Sequence, residues 1–351
     1  MQPYMGLGNS LQTAQGGAGG AVAVGGWVEL ARTTLGSAGD TIDVTSLDDK
    51  RYYMVLDWHI DNGSSINSEG VQFNGDTGSN YAWRESHDGT ADAAFGNRTE
   101  AEIEHLANAS DWFSVQYIAN LAAKEKLGQG HGIKQTGTGA GTAPKRQEFT
   151  YKWANTANAI DQYTMTNKAA GSYDTGSEVV VLGWDAADTH TSNFWEELDS
   201  VTTVGAGGIN SNTFTAKKYL YYQIAGVKDT GTGTQSSRLQ FNSDTGSNYA
   251  QRNSINGTDY TAVSQTSMNI GGDGNVAGEM TFYTGFIINN LANEKLLIGH
   301  SVFGNTAGAG QIGNRGEVAN KWANTGAQIT SIQCMSNDME AGAIMKIWGS
   351  D

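Results

Sequence analysis

The chain has 351 residues and a formal net charge of −15, with 21 Lys and Arg against 36 Asp and Glu. That balance excludes an ordinary nucleic-acid binder, which needs a basic face for phosphates. A single cysteine, Cys334, excludes an intramolecular disulfide or a cysteine-rich metal site, and a mean hydropathy of −0.42 with no long apolar run reads as a soluble chain without a membrane span.

Residues 1–26, MQPYMGLGNSLQTAQGGAGGAVAVGG, carry no basic stretch followed by an apolar one, so no signal peptide is expected. Glycine makes the segment flexible when free, and Tyr4, Met5, Leu7 and Leu11 are its apolar points. The expectation is an arm that orders against a neighbouring subunit, with a disordered tail as the alternative.

From Trp27 onward the chain is written twice. FNGDTGSNYA (73–82) returns as FNSDTGSNYA (241–250), and KWANT (152–156) returns as 321–325. KRYYMVL (50–56) aligns with KYLYYQI (218–224), and IANLAAKEKLGQGH (118–131) with INNLANEKLLIGH (288–300). Motifs that keep their order and spacing over so long a period mark two copies of one domain, not a solenoid. The expected organisation is an arm (1–26), a first copy (27–185), a linker (186–194) and a second copy (195–351).

Within each copy, RYYMVLDWHI, DWFSVQYIANL, MTFYTGFIINNL and EVVVLGW have the β-branched and aromatic content of strands. DNGSS, GDTGSN, TGTGAGT and GGDGN are turn-forming. TEAEIEHLANA (99–109) looks helical, but its counterpart TSMNIGGDG is a poor helix former, so a strand or loop is expected, with Ala101 and Ile103 turned inward. About eight strands per copy and no alternating helices predict an all-β fold: two tandem antiparallel β-sandwiches of the jelly-roll kind.

The duplicated turn reads as a hairpin corner. Phe73 and Phe241 are its core anchors, and Asp76 and Asp244 its turn formers. Gly78 and Gly246 are expected at positive φ, and Tyr81 and Tyr249 resume the next strand. Trp27 with Trp195, Trp153 with Trp322 and Trp184 with Trp348 read as recurring packing anchors. Trp58, Trp83 and Trp112 have no evident counterparts and are candidates for a contact peculiar to the first copy.

These cues together, Q-F-N-x-D-T-G-S-N-Y, then I-x-N-L, then K-W-A-N-T and a closing G-S-E-V-V-V-L-G or G-A-I-M-K-I-W-G, resemble a family of β-rich virion structural proteins of tailed, especially marine, bacteriophages. The resemblance spans most of 27–351. It implies a particle component without chemistry of its own: a capsid decoration, cement or head-fibre subunit on the capsid surface. Its expected partners are further copies of itself, trimers favoured, and other virion proteins such as the major capsid protein. The alternative is a tail-associated receptor- or glycan-binding fibre protein.

Catalytic motifs are missing from the sequence: no G-x-S-x-G elbow, P-loop or strand-borne G-x-G-x-x-G is present. Of six histidines only His131 and His300 correspond between copies. They read as strand-end residues bonded to backbone, because no metal-type spacing accompanies them. Oxygen-rich loops leave room for a calcium ion but match no calcium motif. No catalytic residue, cofactor or metal set is therefore expected.

Overall fold

A computed structural model describes residues 26–63, 69–104, 109–168, 171–189, 192–229, 236–272, 277–304, 309–310, 312–336 and 339–351. The arm and its points Tyr4, Met5, Leu7 and Leu11, and also His105 and His190, lie outside the described residues. The described chain is all-β.

The first copy supplies β1 (Val28–Thr34), β2 (Thr41–Thr45), β3 (Tyr52–His59), β4 (Glu69–Phe73), β5 (Tyr81–His87), β6 (Ala93–Arg98), β7 (Ala101–Glu104), β8 (Trp112–Ala119), β9 (Lys126–Lys134), β10 (Lys145–Trp153), β11 (Gln162–Asn167) and β12 (Glu178–Trp184). The second supplies β13 (Glu196–Thr202), β14 (Ile209–Asn210), β15 (Tyr219–Val227), β16 (Ser236–Phe241), β17 (Tyr249–Ile255), β18 (Thr258–Gln265), β19 (Met268–Gly272), β20 (Met280–Ile288), β21 (Lys295–Phe303), β22 (Asn314–Trp322), β23 (Ile332–Met335) and β24 (Ile344–Ser350). Among the described residues that is twelve strands per copy, against the eight or so expected.

Each copy is an antiparallel sandwich of an eight-stranded and a four-stranded sheet. The first has the orders β1-β12-β3-β8-β9-β10-β5-β6 and β2-β11-β4-β7. The second repeats them strand for strand, β13-β24-β15-β20-β21-β22-β17-β18 and β14-β23-β16-β19. The ambiguous segment at 99–109 supplies β7, with Ala101 and Ile103 fully buried, and β19 stands in its place in the second copy.

Alternation sends one side of each strand into the sandwich core. Ile42, Val55, Phe73, Trp153 and Tyr163 fill the first core, and Leu220, Tyr222, Phe241, Trp322 and Ile332 the second. A third apolar cluster joins the copies. Trp58, Phe113, Val115 and Ile133, on the outer face of the first eight-stranded sheet, belong to the same cluster as Tyr219, Leu296, Ile298 and Trp348 of the second. The large sheets thus pack against each other. This is why the central strand β3 is buried at every position after Tyr52: its two faces serve two different cores.

Glu178 ties the rim of this contact. It pairs with Lys218 at 3.0 Å, accepts from the Tyr219 hydroxyl at 2.8 Å and lies 3.6 Å from Arg32. Opposite, Lys321 donates to the Gly137 carbonyl at 2.6 Å, and Arg252 pairs with Asp88 at 3.0 Å.

Candidate functional site: the cleft between the copies

The duplicated turn is framework, though its geometry differs from a hairpin. β4 ends in the small sheet and β5 begins in the large one, so residues 74–80 form an arch from one layer to the other. Asp76 holds the arch. It accepts from Gly78 N (2.8 Å), from Asn80 Nδ2 (2.9 Å) and from the indole Nε1 of Trp153 (2.7 Å). Asp244 repeats these bonds with Gly246, Asn248 and Trp322. Burial pushes both carboxyls up, but the donated bonds outweigh it and hold them below the usual range.

The positive φ falls at Asn74 and Gly75, and at Asn242 and Ser243, not at Gly78 and Gly246 as expected. Those two glycines are needed for room. A Cβ at Gly78 would lie 2.8 Å from Asn80 Nδ2 and 3.1 Å from Asp76 Oδ1, inside the bonded pair. The Tyr81 hydroxyl accepts from Phe73 N and donates to the Asp76 carbonyl, and Tyr249 does the same for Phe241 and Asp244.

The tryptophans divide by core. Trp153 and Trp322 are buried in the two sandwiches. Trp27, Trp195 and Trp348 are buried in the cluster between the copies. Trp184 is not the counterpart of Trp348. The pairing of β12 and β24 with β1 and β13 puts Leu182 in the place of Trp348 and Trp184 in that of Ser350, and Trp184 stacks on Tyr52 at the rim. Trp83 and Trp112 fill the first core, and Trp58 faces the second copy, so none of the three is displayed to solvent.

A cleft of ≈ 830 Å³ lies between the large sheets, with Val115, Tyr221 and Ile298 of the shared apolar cluster in its lining. Tyr117, Tyr221 and Phe286 give it aromatic walls, with Tyr221 and Phe286 stacked at 4.5 Å. Gln129, Gln223 and Arg84 add planar polar groups. His131 and His300 also line it. They are not strand-end residues bonded to backbone: they sit within β9 and β21 with their rings 4.9 Å apart.

Around this pair lie Arg146, Glu148, Arg315 and Glu317. Arg146 is 2.8 Å from Glu148 and 3.9 Å from Glu317, and His131 is 3.5 Å from Glu148. Burial, then His300 and Arg146, push the His131 imidazolium well down, and burial also lowers His300. Burial raises Glu148 to about 7 against the pull of Arg146. The arrangement can hold an uncharged polar ligand.

A second polar group lies inside the first sandwich. Asp57, fully buried, accepts from Trp112 Nε1 (3.0 Å), Ser114 Oγ (2.6 Å) and Gln116 Nε2 (2.6 Å). Beside it His59 meets Glu69 and Lys134 meets Glu104, all four without solvent exposure. Burial raises Glu69 to about 8, and Glu104 and Asp57 to about 7, and it lowers His59.

No family model matches the chain. No curated protein matches it. Among solved structures it is similar to domains LG4-5 of the mouse laminin alpha1 chain: 10% identity, 94% of this chain, 92% of that one, TM-score 0.19. It is also similar to the LG1-3 region of the laminin alpha2 chain, at 8% identity, 89% and 64% coverage and TM-score 0.21. A third is Ail, the attachment invasion locus protein of Yersinia pestis, at 6% identity, 78% and 99% coverage and TM-score 0.14. Likenesses this distant carry no argument about function.

Sequence reasoning singled out His131 and His300 but read them as separate strand-end residues, and it missed the buried group in the first sandwich. Arg146 and Glu148 have counterparts in Arg315 and Glu317, so the pattern around the histidine pair was written twice and could have been found. His59, Glu69, Glu104 and Lys134 are scattered over four strands. Their only signal is a difference between copies, legible once the register fixes which residues correspond.

Proposed function

We propose that the protein is a non-enzymatic structural component of a virus particle, a capsid decoration, cement or head-fibre subunit. It works as a homo-oligomer, trimers favoured, held to the shell through residues 1–26. The observation that supports this reading is where the recurring residues go. The arch motif and the Trp–Asp bonds hold each sandwich together, and Trp27 and Trp195 pack between the two, which suits a mechanical part. The net negative charge favours solubility at high copy number.

The cleft favours a second reading, a tail-associated protein that binds host glycan. Aromatic faces beside amide and guanidinium groups match the alternating apolar and hydroxyl faces of a sugar ring.

The full chain and a version lacking residues 1–26 are compared by light scattering and by co-sedimentation with stripped capsids. The structural reading expects a defined oligomer that sediments with heads only when the arm is present. Failure of both forms to bind heads, with binding to host polysaccharide that is lost in Tyr117→Ala, would transfer the protein to the second reading.

A further inference from the structure

We infer that the first sandwich holds a buried divalent first-row transition-metal ion on His59, Glu69 and Glu104. One atom from each of these side chains lies within 4.8 Å of the others, and all three residues are buried. Bonds of about 2.0–2.2 Å in tetrahedral array need ligand atoms about 3.3–3.6 Å apart, against the 4.8 Å within which the three atoms fall.

The histidine is oriented for the task. Its Nε2 lies 3.2 Å from the Ser110 carbonyl. A carbonyl only accepts, so Nε2 carries the proton and Nδ1 presents a lone pair. That lone pair faces the Glu69 carboxylate. Two acceptors opposed in a dry interior repel unless a proton or a metal cation lies between them, and a ring N–H donated to a backbone carbonyl is the usual support of a ligating histidine.

The carboxylates also have capacity to spare. Glu104 gives Oε1 to Lys134 while its Oε2 is buried without a hydrogen-bond partner, and Glu69 has only the Tyr173 hydroxyl and the His59 ring beside it. Three buried carboxyls, Asp57, Glu69 and Glu104, stand against one lysine. A divalent ion would let all three stay ionised, where protons otherwise offset the excess.

The second copy is the internal comparison. The strand registers place Gly226, Ser237 and Gly271 at the positions of His59, Glu69 and Glu104, and Ile224 and Phe303 at those of Asp57 and Lys134. The same fold therefore forms with no ionisable side chain at these five places. Burying such groups is expensive, and an apolar filling of the same volume is often more stable. The imidazole favours zinc, manganese or iron over calcium, and complete burial shuts substrate out of the position that three protein ligands leave unfilled.

The test uses the full chain, stripped with chelator, dialysed against Zn2+ or Co2+ and passed through gel filtration. Metal per chain is read by mass spectrometry, and ligation by the visible bands of Co2+. The expected result is one ion per chain, a raised Tm, and loss of retained metal by about tenfold or more in His59→Gln and Glu104→Gln. Wild-type protein that retains no ion overturns the inference and leaves a buried ion-pair cluster. This readout does not depend on the variants folding. An ion retained equally by wild type and folded Glu69→Ser, the second copy's residue, places the metal elsewhere and overturns it too.

Discussion

At the scale of single residues, Asp76 and Asp244 carry more of the fold than their partial exposure suggests. Each is the acceptor for a buried indole N–H that has no other bond. Asp76→Ala should cost about 1–3 kcal/mol in urea unfolding, the range for an orphaned buried donor. Asp76→Asn should cost less, because its amide oxygen still accepts from Trp153. Both carboxyls are held below the usual range, so the stability they add is present at neutral pH and is lost as pH falls through the folded value, below about 4. The His131–His300 pair acts with the opposite chemistry. Burial lowers both, so the unfolded chain takes up protons first, below about 6.5. Wild type should therefore lose stability between pH 6.5 and 5 relative to His131→Gln/His300→Gln, measured by denaturant midpoint across that range. Glu148, raised by burial beside them, works in the other direction, so the difference between the two proteins is the quantity to read.

Among the elements, β9 is the most demanding. Its inner face reads Gly128, Gly130, Gly132, and the rings of Tyr151, Phe149 and Trp112 lie over these positions. A Cβ would come within 2.2, 2.3 and 2.2 Å of them respectively. Gly130→Ala should destabilise by about 1–3 kcal/mol through overpacking, with little change in the denaturant slope. This strand also shows where legibility ended. K-L-G-Q-G-H-G-I-K has poor β-propensity, and its glycines make sense only beside the aromatic strands that cover them. Strands such as β3 and β12, rich in Val, Leu and Tyr, were plain in the sequence because they are buried on two faces. The short strands β2, β11, β14 and β23 of the small sheets were not, since two to six residues between turns give little periodicity. The arch at 74–80 was legible as a turn. That it changes sheets was not, because local turn chemistry does not say which layer receives the next strand.

For the whole molecule, the decisive feature is the apolar cluster shared by the two large sheets. Neither sandwich can be released without exposing it. Calorimetry of 27–351 should therefore show one transition, whereas 27–185 expressed alone should bind a hydrophobic dye or self-associate through Trp58, Phe113 and Ile133. The contact is lopsided: Leu296, Ile298 and Ala319 are buried in it, while their counterparts Leu127, Gln129 and Thr150 are exposed. Nothing in the repeated sequence foretold this asymmetry, since it arises from how two similar faces settle against each other.

The charged interior of the first sandwich bears on how such a chain reaches its native state. Two domains with interchangeable arches and matching strand orders invite strand exchange during folding, a characteristic failure of tandem repeats. The two interiors are incompatible. Were β3 to enter the second sandwich in place of β15, Asp57 and His59 would stand where Ile224 and Gly226 do, with Met339 beside Gly226, Phe303 in the place of Lys134 and no Gln116 to donate. Charges stripped of their partners in this way cost about 3–5 kcal/mol each time a buried pair is broken. Each half of the chain thus recognises its own strands by what it refuses to bury.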